Sequence, residues 1–188
     1  MTEIIERLCD EHRNVEKLLS VLEWELAVFD RRERPDYEVL QAVVRFFEDS
    51  ARWHDHKERV VFDVLKECDA EAAAMIGGIE IEHCQDPFRL QRLDRALTNI
   101  LIDRDVPRQA FDKVMRDFIG HVRYQIDFEE RVLFPTALKS LQPEDWDAIE
   151  ARLNDGAGPF SDGRAEETFS ARSEHIVGWE QENRAARA

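Results

Sequence analysis

Apolar residues recur along this chain every three or four positions, the period of an α-helix with one buried face. Ile5, Leu8, His12, Val15, Leu19, Leu22 and Leu26 form one stripe and predict a helix over about residues 2–30. Arg34-Pro35-Asp36 ends it, and Asp36 supplies the cap of the next helix. The second stripe is Leu40, Val43, Phe47, Ser50, His54, Glu58, Val61 and Leu65. The third is Ile79, His83, Asp86, Leu90, Leu93, Leu97 and Ile100. Pro87 falls inside it and should kink that helix, with Asp86 capping the continuation. Pro107 opens a fourth helix, with the stripe Phe111, Val114, Phe118, His121, Gln125, Glu129 and Val132. Pro143 starts a short fifth helix over about 143–153. Long helices joined by short links predict an all-α fold, an antiparallel up-down four-helix bundle. Asn154-Asp155-Gly156-Ala157-Gly158-Pro159 punctuates its end. The bundle is therefore expected over 1–154, with a polar C-terminal tail over 155–188 that holds one short amphipathic helix near Phe169–Trp179.

All four stripes carry polar residues at core positions. A buried charge without a partner is expensive, so each of these residues needs one. Their spacing supplies a clue. His12 to His54 and His83 to Gln125 are both 42 residues apart. His12 to His83, His54 to Gln125 and Glu58 to Glu129 are each 71 apart. Glu11 with Glu82, Arg52 with Arg123, Trp53 with Tyr124 and Val61 with Val132 keep the same offset. So do the apolar pairs Ile5–Ile76, Leu8–Ile79, Leu19–Leu90, Leu22–Leu93 and Leu26–Leu97. Two helical hairpins of one plan thus face each other about a pseudo-two-fold axis. Each gives a His from its first helix. Its second helix gives a pair four residues apart, His54 and Glu58 in one half and Gln125 and Glu129 in the other.

Residues i and i+4 lie on one helix face, one turn apart. In mid-bundle, such a carboxylate can bridge two metals while the imidazole caps one of them. Two carboxylates from opposing helices then offset much of the charge of two divalent ions. Mixed imidazole and carboxylate donors suit iron, manganese or zinc, and open positions with O2-type chemistry point to iron.

With these residues in place, the sequence resembles the hemerythrin-like (HHE cation-binding) family. Glu11-His12-Arg13, Trp53-His54-Asp55-His56-Lys57-Glu58, Glu82-His83 and the run Gln125 to Pro135 match that family's pattern in order, spacing and flanks over about residues 3–153. The resemblance implies a non-heme di-iron centre, with His12, His54 and His83 as ligands and Glu58 and Glu129 bridging. It departs at Gln125, where the family has a fourth histidine. A carboxamide oxygen is a weaker iron ligand than imidazole, so the second metal is poorly held or unusually open, and one-metal occupancy stays open. His121, one turn before Gln125, and Glu80, one turn before His83, are the residues that could compensate. His56 and His175 are read as bystanders, Trp53 and Tyr124 as packing residues, and Cys9 as a core-facing, inert thiol.

Composition narrows the partners. With 41 acidic residues against 26 Lys plus Arg, the formal charge is −15, which works against nucleic acid and anionic membranes. No apolar run approaches a membrane span. The three cysteines form no CxxC pair, and the N-terminus lacks a basic, apolar leader, so a reduced, cytoplasmic setting is expected. The expected function is binding of O2, NO or peroxide for sensing, storage or redox response. The alternatives are a di-iron enzyme for peroxide or NO detoxification or iron repair, and a metal-depleted bundle acting through protein partners. A homodimer or an unknown protein partner is left open.

Overall fold

The computed structural model describes residues 2–102, 106–154 and 164–187, with the side chains of 50–53 and 164–167 outside that description. Trp53, Ser50 and the Gly156–Pro159 punctuation therefore lie outside the described residues. Every regular element described is helical: α1 (Glu3–Asp30), α2 (Tyr37–Cys68), α3 (Ala70–His83), α4 (Asp86–Leu101), α5 (Arg108–Phe128), a π turn (Glu129–Leu133), α6 (Phe134–Ser140), α7 (Pro143–Asn154) and α8 (Arg164–Arg187). None is long and apolar enough to cross a membrane.

The all-α bundle expected from the stripes is present. α1, α2, α4 and α5 pack in a closed ring, each against two neighbours. Asp36 caps α2 as anticipated, its carboxylate accepting from the backbone N–H of Glu38 and Val39. Asp69 does the same for α3 through Glu71 and Ala72. The fifth helix runs from Pro143 to Asn154.

Three elements differ from the sequence reading, each for a local reason. The third helix is broken rather than kinked: α3 ends at His83 and α4 restarts at Asp86, with Pro87 in its first turn, where a missing N–H costs nothing. Asp86 is the first residue of α4, not its cap, and its carboxylate is engaged elsewhere. In the fourth helix the ladder widens to a π turn at Glu129–Leu133, just before Pro135, which has no N–H to give it. The extra residue shifts the buried face by one, so that Leu133 is fully buried where Val132 was expected. Finally, the C-terminal stretch carries a helix of 24 residues, longer than the short one anticipated. It packs along α1 and α2. Phe169 and Ile176 enter the core, and Arg187 pairs with Glu25 and Asp36 at 3.3 and 2.8 Å. Arg184 lies over the Trp24 ring at 3.3 Å.

The apolar core has two parts. One, around Leu18, Leu22, Val43, Leu93 and Phe111, joins the later turns of α1 and α4 to the earlier turns of α2, α5 and α8. The other, around Ile5, Leu8, Val61, Phe62, Ile76 and Leu133, fills the opposite end. Between them lies a polar layer made by His12, Glu58 and Glu129, each only 2% exposed.

Candidate metal centre

Four of the residues singled out from sequence converge in that layer. His12, His54, Glu58 and Glu129 each offer one ligand atom, and those atoms all lie within 4.8 Å of one another. His12 Nε2 is 3.1 Å from His54 Nε2, 3.5 Å from Glu58 Oε1 and 3.3 Å from Glu129 Oε2. His54 Nε2 is 3.2 Å from Glu58 Oε1. His83 joins from the end of α3, its Nε2 3.1 Å from Glu129 Oε1. Glu129 thus turns one oxygen to His12 and the other to His83.

The far sides of two rings are fixed. His12 Nδ1 donates to Glu130 Oε1 at 2.9 Å, and His54 Nδ1 donates to Glu11 Oε2 at 2.8 Å. With Nδ1 committed to a carboxylate, Nε2 is the nitrogen left to face the centre. Glu11 also receives the ammonium of Lys57, which is buried beside it. Phe134 stacks on the His12 ring at 5.6 Å and holds its plane. Glu11, Lys57 and Glu130 were not singled out as site residues. Their signal was present: Glu11 and Glu130 flank the ligand motifs, and Lys57 adjoins Glu58.

Gln125 and His121 face another residue. Gln125 Nε2 donates to Asp86 Oδ2 at 2.8 Å, and His121 Nε2 donates to Asp86 Oδ1 at 2.7 Å. Glu80 points away and takes Lys66 at 2.6 Å. Tyr124, expected to pack, is 56% exposed and only stacks on Phe128, because the helix face it occupies points outward. His56 and His175 are exposed. Cys9 is half-buried against the core part around Ile5 and Leu8, and burial pushes its thiol up.

The electrostatics describe a site built for positive charge. Burial disfavours the imidazolium of His12, yet hydrogen bonds with Glu129, Glu130 and Glu58 outweigh it and hold the pKa well above the usual value. Burial likewise opposes charge on His54, but Glu58 and Glu11 raise it to about 10. His83 is raised to about 9, where the contact with Glu129 overcomes burial. Glu58 stays ionised well below its ordinary range, because the two imidazoles beside it outweigh its own burial. Asp55, in the cavity wall, is pushed up to about 6 by burial and then by Glu58.

The donor set fits a metal on one further observation. Glu58 Oε1 is buried and makes no well-aligned hydrogen bond, although His54 Nε2 and His12 Nε2 stand 3.2 and 3.5 Å from it. It faces the same space as two Nε2 atoms whose opposite nitrogens are already committed. A cation there satisfies all of them at once.

The centre opens into a cavity of about 540 Å³. Its floor is His12, His54, Glu58, His83 and Glu129, and its walls include Val15, Phe46, Leu90, Phe118 and Phe169. Among the described residues, its lining includes no Lys or Arg.

A family model described as hemerythrin HHE cation binding domain matches residues 3–137. Comparison with curated proteins and with solved structures gives no match.

Proposed function

Because the chain belongs to the hemerythrin HHE cation-binding family, we propose that it is a non-heme di-iron protein that binds O2, NO or peroxide in sensing, storage or a redox response. In this reading His12, His54 and His83 bind iron, Glu58 and Glu129 bridge the two ions, and Gln125 and His121 border the second. The observation that carries the reading is the convergence of His12, His54, Glu58 and Glu129 within 4.8 Å, with one carboxylate oxygen making no well-aligned hydrogen bond.

Iron held by these residues would supply reversible electron transfer to a small bound ligand. The chain's own residues do the rest. Glu130 and Glu11 fix the imidazole rings, so their Nε2 atoms need not reorganise when a ligand arrives. Val15, Phe46, Leu90, Phe118 and Phe169 give the cavity apolar walls suited to small uncharged molecules. Gln125 holds an amide N–H at the open end, beside Asp86.

The size of the cavity favours a second reading. A diatomic molecule needs far less than about 540 Å³, so the same centre could serve an enzyme acting on a larger substrate. Absorption spectra of the iron-loaded protein separate the two. Reversible change on cycling O2 or NO supports binding. Steady peroxide consumption supports catalysis, and no spectral response to any of the three removes the proposal.

A further inference from the structure

The two halves of the centre are not equivalent, and the difference is a paired one. Where the first half has His54, the second has Gln125, 71 residues on. Where the first half has Val15, the second has Asp86, again 71 residues on. All four line the same cavity. An imidazole and an isopropyl group on one side are thus replaced by a carboxamide and a carboxylate on the other.

The replacement residues are joined. Gln125 donates to one oxygen of Asp86 at 2.8 Å, and His121 donates to the other at 2.7 Å. Both donors stand on α5, one turn apart, and grip a carboxylate that the α3–α4 break places three residues beyond His83. Each carboxylate oxygen still has a lone pair free. Arg89 stands 3.8 Å from Asp86 Oδ1, beyond hydrogen-bond reach, and is tied more closely to Glu82 at 3.1 Å. A part-buried anion oriented by two hydrogen-bond donors, its ion pair with Arg89 stretched to 3.8 Å, is held as a metal-binding carboxylate is held. Asp86, Gln125, His83 and Glu129 line one cavity, so this carboxylate opens onto the same space as the second-half donors.

Resting on the di-iron reading above, we infer that Asp86 replaces the missing imidazole as a ligand of the second metal. Gln125 and His121 are its positioning residues. That half is then oxygen-rich: His83 is its one imidazole, against carboxylates from Asp86 and the bridging glutamates. Carboxylate oxygen suits Mn2+ better than imidazole does, whereas the His12–His54 half favours Fe2+. The second position therefore discriminates less against Mn2+ and accepts it beside one iron.

The test is anaerobic titration of metal-free protein with Mn2+ alone, Fe2+ alone and an equal mixture. Free Mn2+ is counted by its electron paramagnetic resonance signal, and bound iron by elemental analysis. The wild type should take two ions, and from the mixture one of each. Asp86→Asn should take one ion with the first affinity unchanged, and Asp86→Glu should restore the second. Gln125→Ala and His121→Ala should each weaken only the second ion, by about 10–100-fold. Circular dichroism confirms that each variant is folded, and should Asp86→Asn not fold, the two positioning variants carry the test. Two ions bound to Asp86→Asn, or to both positioning variants, with wild-type affinities would overturn the inference. So would equal preference for iron at both positions. A wild type that binds no metal removes the di-iron reading itself, which keeps the two failures distinct.

Discussion

Glu129 and His83 meet at 3.1 Å, Oε1 to Nε2, while the other oxygen of the same carboxylate lies 3.3 Å from His12 Nε2. One side chain therefore connects a histidine from each half of the internal repeat. The π turn that begins at Glu129 lies where regular α geometry gives way, as such turns often do at functional sites. Glu129→Gln preserves volume and removes the charge. Metal affinity is expected to fall by about 10–100-fold or more, with helix content retained. Metal binding at wild-type strength, measured by titration of the metal-free variant, would show that Glu129 is not shared between the halves.

Glu11 serves two partners, the ammonium of Lys57 and His54 Nδ1. Glu11→Ala removes the carboxylate from a buried ion pair, which typically costs about 3–5 kcal/mol. It also frees the His54 ring to turn. Denaturant unfolding should show the stability loss, and metal titration a weaker first site. Lys57→Met, which removes the other charge, should weaken metal binding less, because Glu11 still holds His54.

Protons and metal compete for the same nitrogens. His54 is raised to about 10 and His83 to about 9, from a usual value of 6.5. A raised folded-state pKa contributes stability that is fully present below the unfolded value and is lost as pH rises through the folded one. The metal-free protein should therefore lose stability between about pH 6.5 and 10, while metal affinity rises over the same window. The metal-loaded protein, whose imidazoles hold no proton at Nε2, should lack this slope. Thermal unfolding of both forms across that range checks it, and parallel curves would contradict the assignment.

Phe169 brings α8 into the account. It is 4% exposed, packs edge-on to Phe46 at 4.8 Å and forms part of the cavity wall. Phe169→Ala should cost about 3–5 kcal/mol, read as a lowered unfolding midpoint. It should also speed access of small oxidants to the centre, read by stopped-flow absorption. Unchanged access kinetics would place the entrance away from α8.

Much of this arrangement was legible in the sequence, because helical period and the offset of 71 both survive in one chain. His12, Glu58 and Glu129 stood out as polar residues on apolar stripes, and they form the polar layer between the two core clusters. The residues behind them were harder to see. Glu11 and Glu130 flank the ligand motifs in sequence, but only tertiary packing turns them toward the rings. Asp86 resembled a helix cap beside Pro87; its contact with His121 and Gln125 depends on how α4 lies against α5. The π turn left no periodic signature, since one extra residue is within the spread of a 3.6-residue repeat. The docking of α8 was muted by its charged composition, because a few buried contacts, among them Phe169, Ile176 and Arg187, hold it.

The central claim is that the layer of His12, His54, Glu58, His83 and Glu129 is a metal centre. Elemental analysis of the protein purified from iron-replete expression, beside a Glu58→Gln variant, tests it most directly. The account predicts about two iron ions per chain in the wild type and a marked loss in the variant. A folded wild-type protein without bound metal, or a variant that keeps the full complement, would contradict it.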